Sequence, residues 1–381
     1  MGTAIRGTLL TPERIIPRGI VVVEGGKIKG IEEEEPGSHD NLLDFEGCYI
    51  APGFVDIHVH GGGGYDAMAP GGVEGLGEFL VGGGVTSFLP TTHTASREAL
   101  REAVEGMRGV IGRVTGSAEP LGIHLEGPFI NPEKSGAQNR AHIRPPDRGE
   151  LKELHEASGG SLRMVTLAPE IEGVLEAVRW LSSEGIVPAA GHTDATHDEL
   201  VAGIEAGVRH ASHLFNAMGP FHHREPGAAG AALADDRVSV GLVADGFHLH
   251  PATLRLAAKA KGSGGVALIS DCIAPAGLPE GVHMFGGLQV TVREGKSFLK
   301  SERLAGSTLR LGGAVRNMVR LAGFSVREAV EMASETPARI AGASNRKGRL
   351  APGMDADIVV LSSDLSVQLT MVGGRIAHRR E

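Results

Sequence analysis

Short apolar runs recur along the middle of the chain, spaced widely enough for a helix to fit between them. Phe54 to Val59, Thr86 to Leu89, Leu121 to Leu125, Met164 to Leu167, Val187 to Ala190, Val208 to Ser212, Val238 to Val243 and Val266 to Ser270 each read as a strand. Continuous hydrophobicity, rather than alternation, is the pattern of a strand covered on both faces. Between the runs, Ser96 to Ile111, Glu170 to Glu184 and Thr196 to Ala206 have the spacing of amphipathic helices. Eight β runs separated by helices over about 300 residues predict a (β/α)8 TIM barrel. The ends of the chain differ from the middle. Ile20 to Val23, Gly25-Gly26 and Lys27 to Ile31 spell strand, tight turn, strand. Ala356 to Leu361 is strand-like, and Met371-Val372, Gly373-Gly374 and Arg375 to Ala377 repeat the hairpin signal. The expectation is an α/β fold: a catalytic barrel over 51-349 and a small discontinuous β-sandwich domain built from 1-50 and 350-381. The acidic run Glu32 to Glu35 reads as a solvated loop.

Composition narrows the function. With 381 residues, 41% hydrophobic and 22% charged, the chain can bury a large core. A net charge of −9 argues against nucleic-acid binding, and 4% aromatic residues leave little material for a base-stacking platform. Two cysteines, Cys48 and Cys272, make no disulfide framework and point to a reducing compartment. No signal-peptide pattern opens the chain, and no apolar run reaches the roughly 18 residues of a membrane span. A cytoplasmic protein without membrane or nucleic-acid partners is expected.

Candidate chemistry gathers at one end of the predicted strands. His58 and His60 close the first run and share a face, because side chains alternate with a period of two. The glycines Gly61 to Gly64 follow, and paired imidazoles beside open space suit a divalent metal. His124 and Glu126 end the third run, His192 the fifth, His210 and His213 the sixth and Asp271 the eighth. A barrel places its active site at that end of its strands, and ionisable groups seldom end buried strands without a partner. His124 stays open between ligand and packing residue. His210 reads as structural and His93 as a hydrogen-bonded loop residue. His222, His223 and Arg224 form a cationic loop that is either simply solvated or a binding element. Cys272 beside Asp271 could be a nucleophile, but a metal constellation already supplies one.

His-Leu-Glu-Gly-Pro-Phe (124 to 129), Gly-His-Thr (191 to 193), His-Leu-Phe-Asn-Ala-Met (213 to 218), Arg-Glu-Pro-Gly (224 to 227), Asp-Gly-Phe-His (245 to 248) and Ser-Asp-Cys-Ile-Ala-Pro-Ala-Gly (270 to 277) resemble the N-acetylglucosamine-6-phosphate deacetylases of the amidohydrolase superfamily. The likeness runs from Pro52-Gly-Phe-Val-Asp to Pro352-Gly353-Met-Asp-Ala-Asp. Those two end motifs mark only the superfamily.

The resemblance implies that Glu126, His192 and His213 bind one divalent metal, zinc or iron(II), with His58 and His60 completing a second site that shares Glu126. Some relatives lack the paired histidines and work with one metal. The fourth run, Arg163 to Glu170, has no lysine to bridge two metals, which argues against the dihydroorotase and dihydropyrimidinase branches. The resemblance makes Asp271 the general base and acid of amide hydrolysis. It assigns the substrate phosphate to His248, Asn216, Ala217 and Arg224, with His223 and Arg224 acting across a homodimer interface. Gln138 stands where some relatives carry histidine, so either Gln138 or His142 is expected to meet the sugar. The rival substrates are N-acetylgalactosamine 6-phosphate and another N-acyl or cyclic amide. A barrel that has lost its metal is the non-enzymatic alternative.

Overall fold

The computed structural model describes residues 2–33, 41–113 and 116–380. Its centre is a ring of eight parallel strands: β1 (Phe54–Val59), β2 (Val85–Thr92), β3 (Ile123–Glu126), β4 (Leu162–Leu167), β5 (Val187–Ala190), β6 (His210–Ala211), β7 (Ser239–Val243) and β8 (Val266–Ile269). Neighbours pair in that order from β1 to β8. Two bonds past the strand ends close the ring: Asp271 N donates to His58 O (2.9 Å) and His60 N to Cys272 O (2.8 Å). The predicted runs all fall on these strands.

The strands are hydrophobic throughout because they are covered twice. Leu89, Met164, Ala189, Ala267 and Ile269 fill the inside with Val55 and Ile57, and Ala338 to Ala343 close the lower end. Val165, Leu167, Val240, Leu242 and Leu268 face outward against the helices. The helix predicted from Thr196 begins there with a capping box, Thr196 with Glu199. The helix predicted from Glu170 begins only at Val174, after Gly173 at φ 84°. Glu170 itself accepts from Asn131 Nδ2 (2.9 Å) and Asp194 N (2.6 Å), bracing the turn that carries His192.

The terminal segments form one seven-stranded sheet in the order Arg375–Arg379, Val367–Val372, Ile358–Leu361, Leu42–Pro52, Thr3–Leu10, Ile15–Glu24, Lys27–Glu33. The sheet curls until its two glycine turns meet at Ala356, whose N donates to Gly26 O and whose O accepts from Gly374 N, both at 2.9 Å. Alternation then divides its side chains. Ile5, Val21, Ile50, Ile358 and Val360 fill the curl. Leu10, Ala51, Val359 and Leu361 join the core of the barrel. The acidic run is not the loop expected of it: Glu32 and Glu33 end an edge strand, exposed, while Glu34 and Glu35 lie outside the described residues.

One element was absent from the sequence expectation. Gly281–Phe285, Leu288–Arg293 and Lys296–Leu299 make a three-stranded antiparallel sheet after β8, inside the barrel segment. Among the described residues, no helix is long and apolar enough to cross a membrane.

Candidate metal centre

The first strand carries an irregularity that the chemistry needs. Asp56 pairs with Phe88 and Val59 with Pro90, so three steps on β1 face two on β2. This bulge resets the alternation. Val55 and Ile57 point into the barrel below it, and His58 and His60 point inward above it. Asp56 Oδ1 accepts from both His58 N and Ser270 N (3.3 Å each), pinning β1 to β8 beneath the site. Gly61 follows because a Cβ there would lie 2.4 Å from Tyr65 O.

Glu126 is the hub. Its Oε1 lies 2.9 Å from His213 Nε2, 3.1 Å from His58 Nε2 and 3.5 Å from His192 Nε2. Its Oε2 lies 3.2 Å from His60 Nε2. Asp271 Oδ1 stands 3.4 Å from His60 Nε2 and 3.7 Å from His58 Nε2. Potential ligand atoms of His58, His60 and Asp271, and again of His58, Glu126 and His213, fall within 4.8 Å of one another. His192, His213 and Asp271 all adopt positive φ (49°, 28° and 49°) at strand ends, a cost that proteins tolerate mainly at functional sites.

The outer nitrogens fix the tautomers. A carbonyl oxygen only accepts, so Nδ1–H of His192 donates to Lys134 O (2.8 Å), that of His213 to Asn216 O (3.2 Å) and that of His60 to Thr91 O (3.2 Å). Each turns Nε2 toward Glu126, where it donates to the carboxylate when the imidazole is charged and would offer its lone pair when a metal takes the place of that proton.

Electrostatics point the same way. Burial alone would raise the Glu126 pKa, but His58, His192 and His213 outweigh it and hold the group well below the carboxylate range. Burial would also raise Asp271, yet the hydrogen bond from His60 and the charges of His58 and His213 bring it to about 2. Burial would lower His60, but hydrogen bonds to Asp271 and Glu126 push it up to about 10. Two buried carboxylates therefore stay ionised and draw a proton onto an imidazole. A divalent cation fits this donor set and would supply the same positive charge.

A pocket of about 350 Å³ opens above the cluster. Its wall includes His60, Glu126, Gln138, His192, His213 and Asp271, together with Asn216, Ala217 and His248. His58 lies beneath, 1% exposed. Three other candidates are not on this wall. His142 ends a short 3-10 turn, and its carbonyl accepts from Arg144 Nη1 (2.6 Å). His223 and Arg224 sit together on an exposed loop, Nη1 of the arginine 3.0 Å from Nε2 of the histidine.

The remaining candidates have partners within the protein. The Gln138 amide is spent on the protein: Nε2 donates to Glu126 Oε2 (2.5 Å) and Oε1 accepts from Thr94 N (2.6 Å). His124 lies one layer below Glu126, its Nδ1 3.0 Å from Ile57 O and its Nε2 2.7 Å from Thr166 Oγ1, so neither nitrogen is free for a metal. His210 is buried against Ser239 Oγ (2.9 Å). Burial raises the Cys272 thiol pKa, so it stays protonated. Sequence reasoning missed Lys134, Phe285, Arg303 and Leu304 on the pocket wall. The last three arrive with the inserted sheet, and the Phe285 ring lies 5.5 Å from that of His60.

A parallel barrel with imidazoles and carboxylates converging above its strands has the architecture of a metal-assisted barrel hydrolase. Residues 49–377 match the amidohydrolase family. N-acetylglucosamine-6-phosphate deacetylase of Bacillus subtilis is 40% identical, covering 97% of this chain and 95% of that protein. N-acetylgalactosamine-6-phosphate deacetylase of Escherichia coli O157:H7 is 39% identical, covering 86% and 87%. A mutant of the Mycobacterium smegmatis N-acetyl-D-glucosamine-6-phosphate deacetylase, solved in complex with N-acetyl-D-glucosamine-6-phosphate, superposes with a TM-score of 0.94 at 33% identity, covering 99% of each chain. The chain belongs to the amidohydrolase family, within its N-acetylglucosamine-6-phosphate deacetylase branch.

Proposed function

We propose that this enzyme hydrolyses the acetamide of N-acetylglucosamine 6-phosphate, giving glucosamine 6-phosphate and acetate. The observation that carries the reading is Glu126 within 3.5 Å of four imidazole Nε2 atoms, beside an ionised Asp271 at the floor of an open pocket. Glu126, His192 and His213 would hold one divalent ion, and His58 and His60 with Glu126 a second; zinc or iron(II) suits the mixed donors. A bound cation acidifies water and polarises the amide carbonyl. Asp271 takes the proton of the attacking water on its carboxylate and returns it to the departing amine. Its low pKa keeps it ready to accept.

His248 lines the pocket and its Nδ1–H donates to Asp245 Oδ2 (2.6 Å), which leaves Nε2 as the nitrogen that would donate to the phosphate. Asn216 and Ala217 provide the neighbouring backbone. Arg224 stands off this chain's own pocket, which favours a homodimer in which His223 and Arg224 serve the neighbouring subunit. Arginine offers phosphate a bidentate fork there. The free cysteines Cys48 and Cys272 are in keeping with the cytoplasm. We divide the chain into the catalytic barrel, 51-349, and the small β domain, 1-50 with 350-381.

The galactosamine epimer has less support, because the Bacillus subtilis relative and the ligand-bound neighbour both act on the glucosamine form. Acetate release from a panel of N-acetylhexosamine 6-phosphates, with metal content measured on the same sample, tests the proposal. Fastest release from the glucosamine epimer is expected, with stoichiometric metal. Faster release from the galactosamine epimer would transfer the assignment to it, and no acetate from metal-loaded protein would end it.

A further inference from the structure

A second cavity, of about 530 Å³, opens at the seam between the small sheet and the barrel, and it shares no wall residue with the metal pocket. Arg310 and Arg316 reach it from the helix Leu311–Arg320, and His378 and Arg380 from the C-terminal strand and its end. Some arginines elsewhere fork onto acids, as Arg346 does on Glu119 and Arg237 on Asp235, and others hold backbone carbonyls, as Arg209 does on Ile204 and Val208. Among the described residues, Arg310, Arg316 and Arg380 have no carboxylate partner. Asp245, the one acid on the described wall, is already spent: it accepts from His248 Nδ1 (2.6 Å) and from Phe247 N and His248 N (2.8 Å each).

Arg310 is in an unusual place. It occupies the N-cap of its helix, which has neither an acidic residue in its first turn nor a side-chain cap. That is the positive end of the helix dipole, where Asp, Ser and Thr are favoured and a cation is unfavourable. The guanidinium is also held in place. It lies 4.4 Å over the Phe79 ring, and a Cβ at Gly82 would come within 2.2 Å of Nη1. Burial, and after it the charge of Arg310, lowers the pKa of the half-buried His378. Positive groups from two elements thus converge on one space, on a chain whose net charge is −9. An anion that joined it would relieve the repulsion among these groups.

We propose that this cavity is a second anion site, which takes phosphate either as the free ion or as the headgroup of a sugar phosphomonoester. Guanidinium forks from separate elements match the oxygens of a tetrahedral oxyanion. The anion would bridge the C-terminal strand to a helix of the barrel.

Calorimetric titration of inorganic phosphate into metal-loaded wild-type protein and into Arg316→Gln/Arg380→Gln, at constant ionic strength with chloride as control, tests the site. The wild type is expected to bind one equivalent more than the double variant, or to bind its second equivalent at least about ten-fold more tightly. Neither residue lies in the metal pocket, so deacetylation kcat/KM should stay within about two-fold. Identical stoichiometry and affinity in the two proteins would overturn the proposal whatever their activity. Glucose 6-phosphate, which has no acetamide, separates the sources. Seam binding at least about ten-fold tighter than that of phosphate assigns a sugar phosphomonoester, and equal binding assigns the free ion. Should the double change prevent folding, Arg380→Gln alone, one residue from the chain end, makes the same comparison.

Discussion

Glu126 and Asp271 at the barrel rim, and Glu119 and Asp357 at the seam below, are all buried carboxylates, yet the two groups are neutralised differently. At the seam, Lys347 Nζ lies 2.6 Å from Asp357, 2.7 Å from Glu119 and 3.0 Å from the half-buried Asp355. Arg346 adds a two-pronged contact to Glu119. These cations are permanent. Burial would lower the Lys347 pKa, but Asp357 and Glu119 more than compensate and raise it. At the rim the partners are imidazoles, which need not be charged and which offer lone pairs. A carboxylate cluster with its own lysine is complete as folded. One faced by imidazoles can exchange the proton it holds for a cation from outside, and that exchange is what makes the rim a functional site.

The comparison can be broken from either side. The largest effect is expected from Glu126→Gln, which removes the charge shared by both ligand sets. Metal should fall below stoichiometry by elemental analysis, and acetate release should drop at least about 1,000-fold, the scale of several kcal/mol of cation assistance. Retention of metal and turnover would remove Glu126 from the ligand set. Lys347→Met should do the reverse: a loss of about 3–5 kcal/mol in urea unfolding, because the buried Asp357 is left without the cation that pairs with it, with metal content and kcat of the folded fraction unchanged. Asp271→Asn should keep its metal and lose about 100-fold in kcat. Near-normal turnover would remove Asp271 from proton transfer.

The last effect is spread over several pH units and separates His210, inside the barrel, from the metal-facing histidines. Burial, then the charges of His58 and His213, depresses its pKa to about 3 from 6.5. Between those values the unfolded chain binds a proton that the folded chain refuses. Stability therefore falls as pH drops from 6.5 toward 3, by up to about 1.4 kcal/mol per unit. His210→Gln should flatten that slope in urea unfolding followed across pH, and an unchanged slope would place the proton elsewhere.

Particular residues show where sequence reading works and where it stops. Apolar runs of strand length mark all eight barrel strands, because double coverage leaves a direct trace in composition. His58 and His60 are legible as a pair because alternation fixes their shared face. His124 and Glu126 share a face by the same rule, yet only Glu126 reaches the rim; the layer below gives His124 to Thr166 Oγ1 and Ile57 O. Nothing local distinguishes them. Asp355 and Asp357, part of the superfamily's end motif, become intelligible only beside Lys347 and Glu119 from elsewhere in the chain.

By itself, then, the sequence determined the element types, their faces and the order in which ionisable groups leave the strands, since these follow from periods of two and 3.6 within a few residues. Tertiary structure alone decided which groups meet. It set the bulge that turns His58 and His60 inward, the inserted sheet that brings Phe285 to the pocket, the capture of the Gln138 amide by Glu126 and the gathering of arginines at the seam. Each depends on distances between segments far apart in the chain, which ring closure and packing fix and local pattern does not encode.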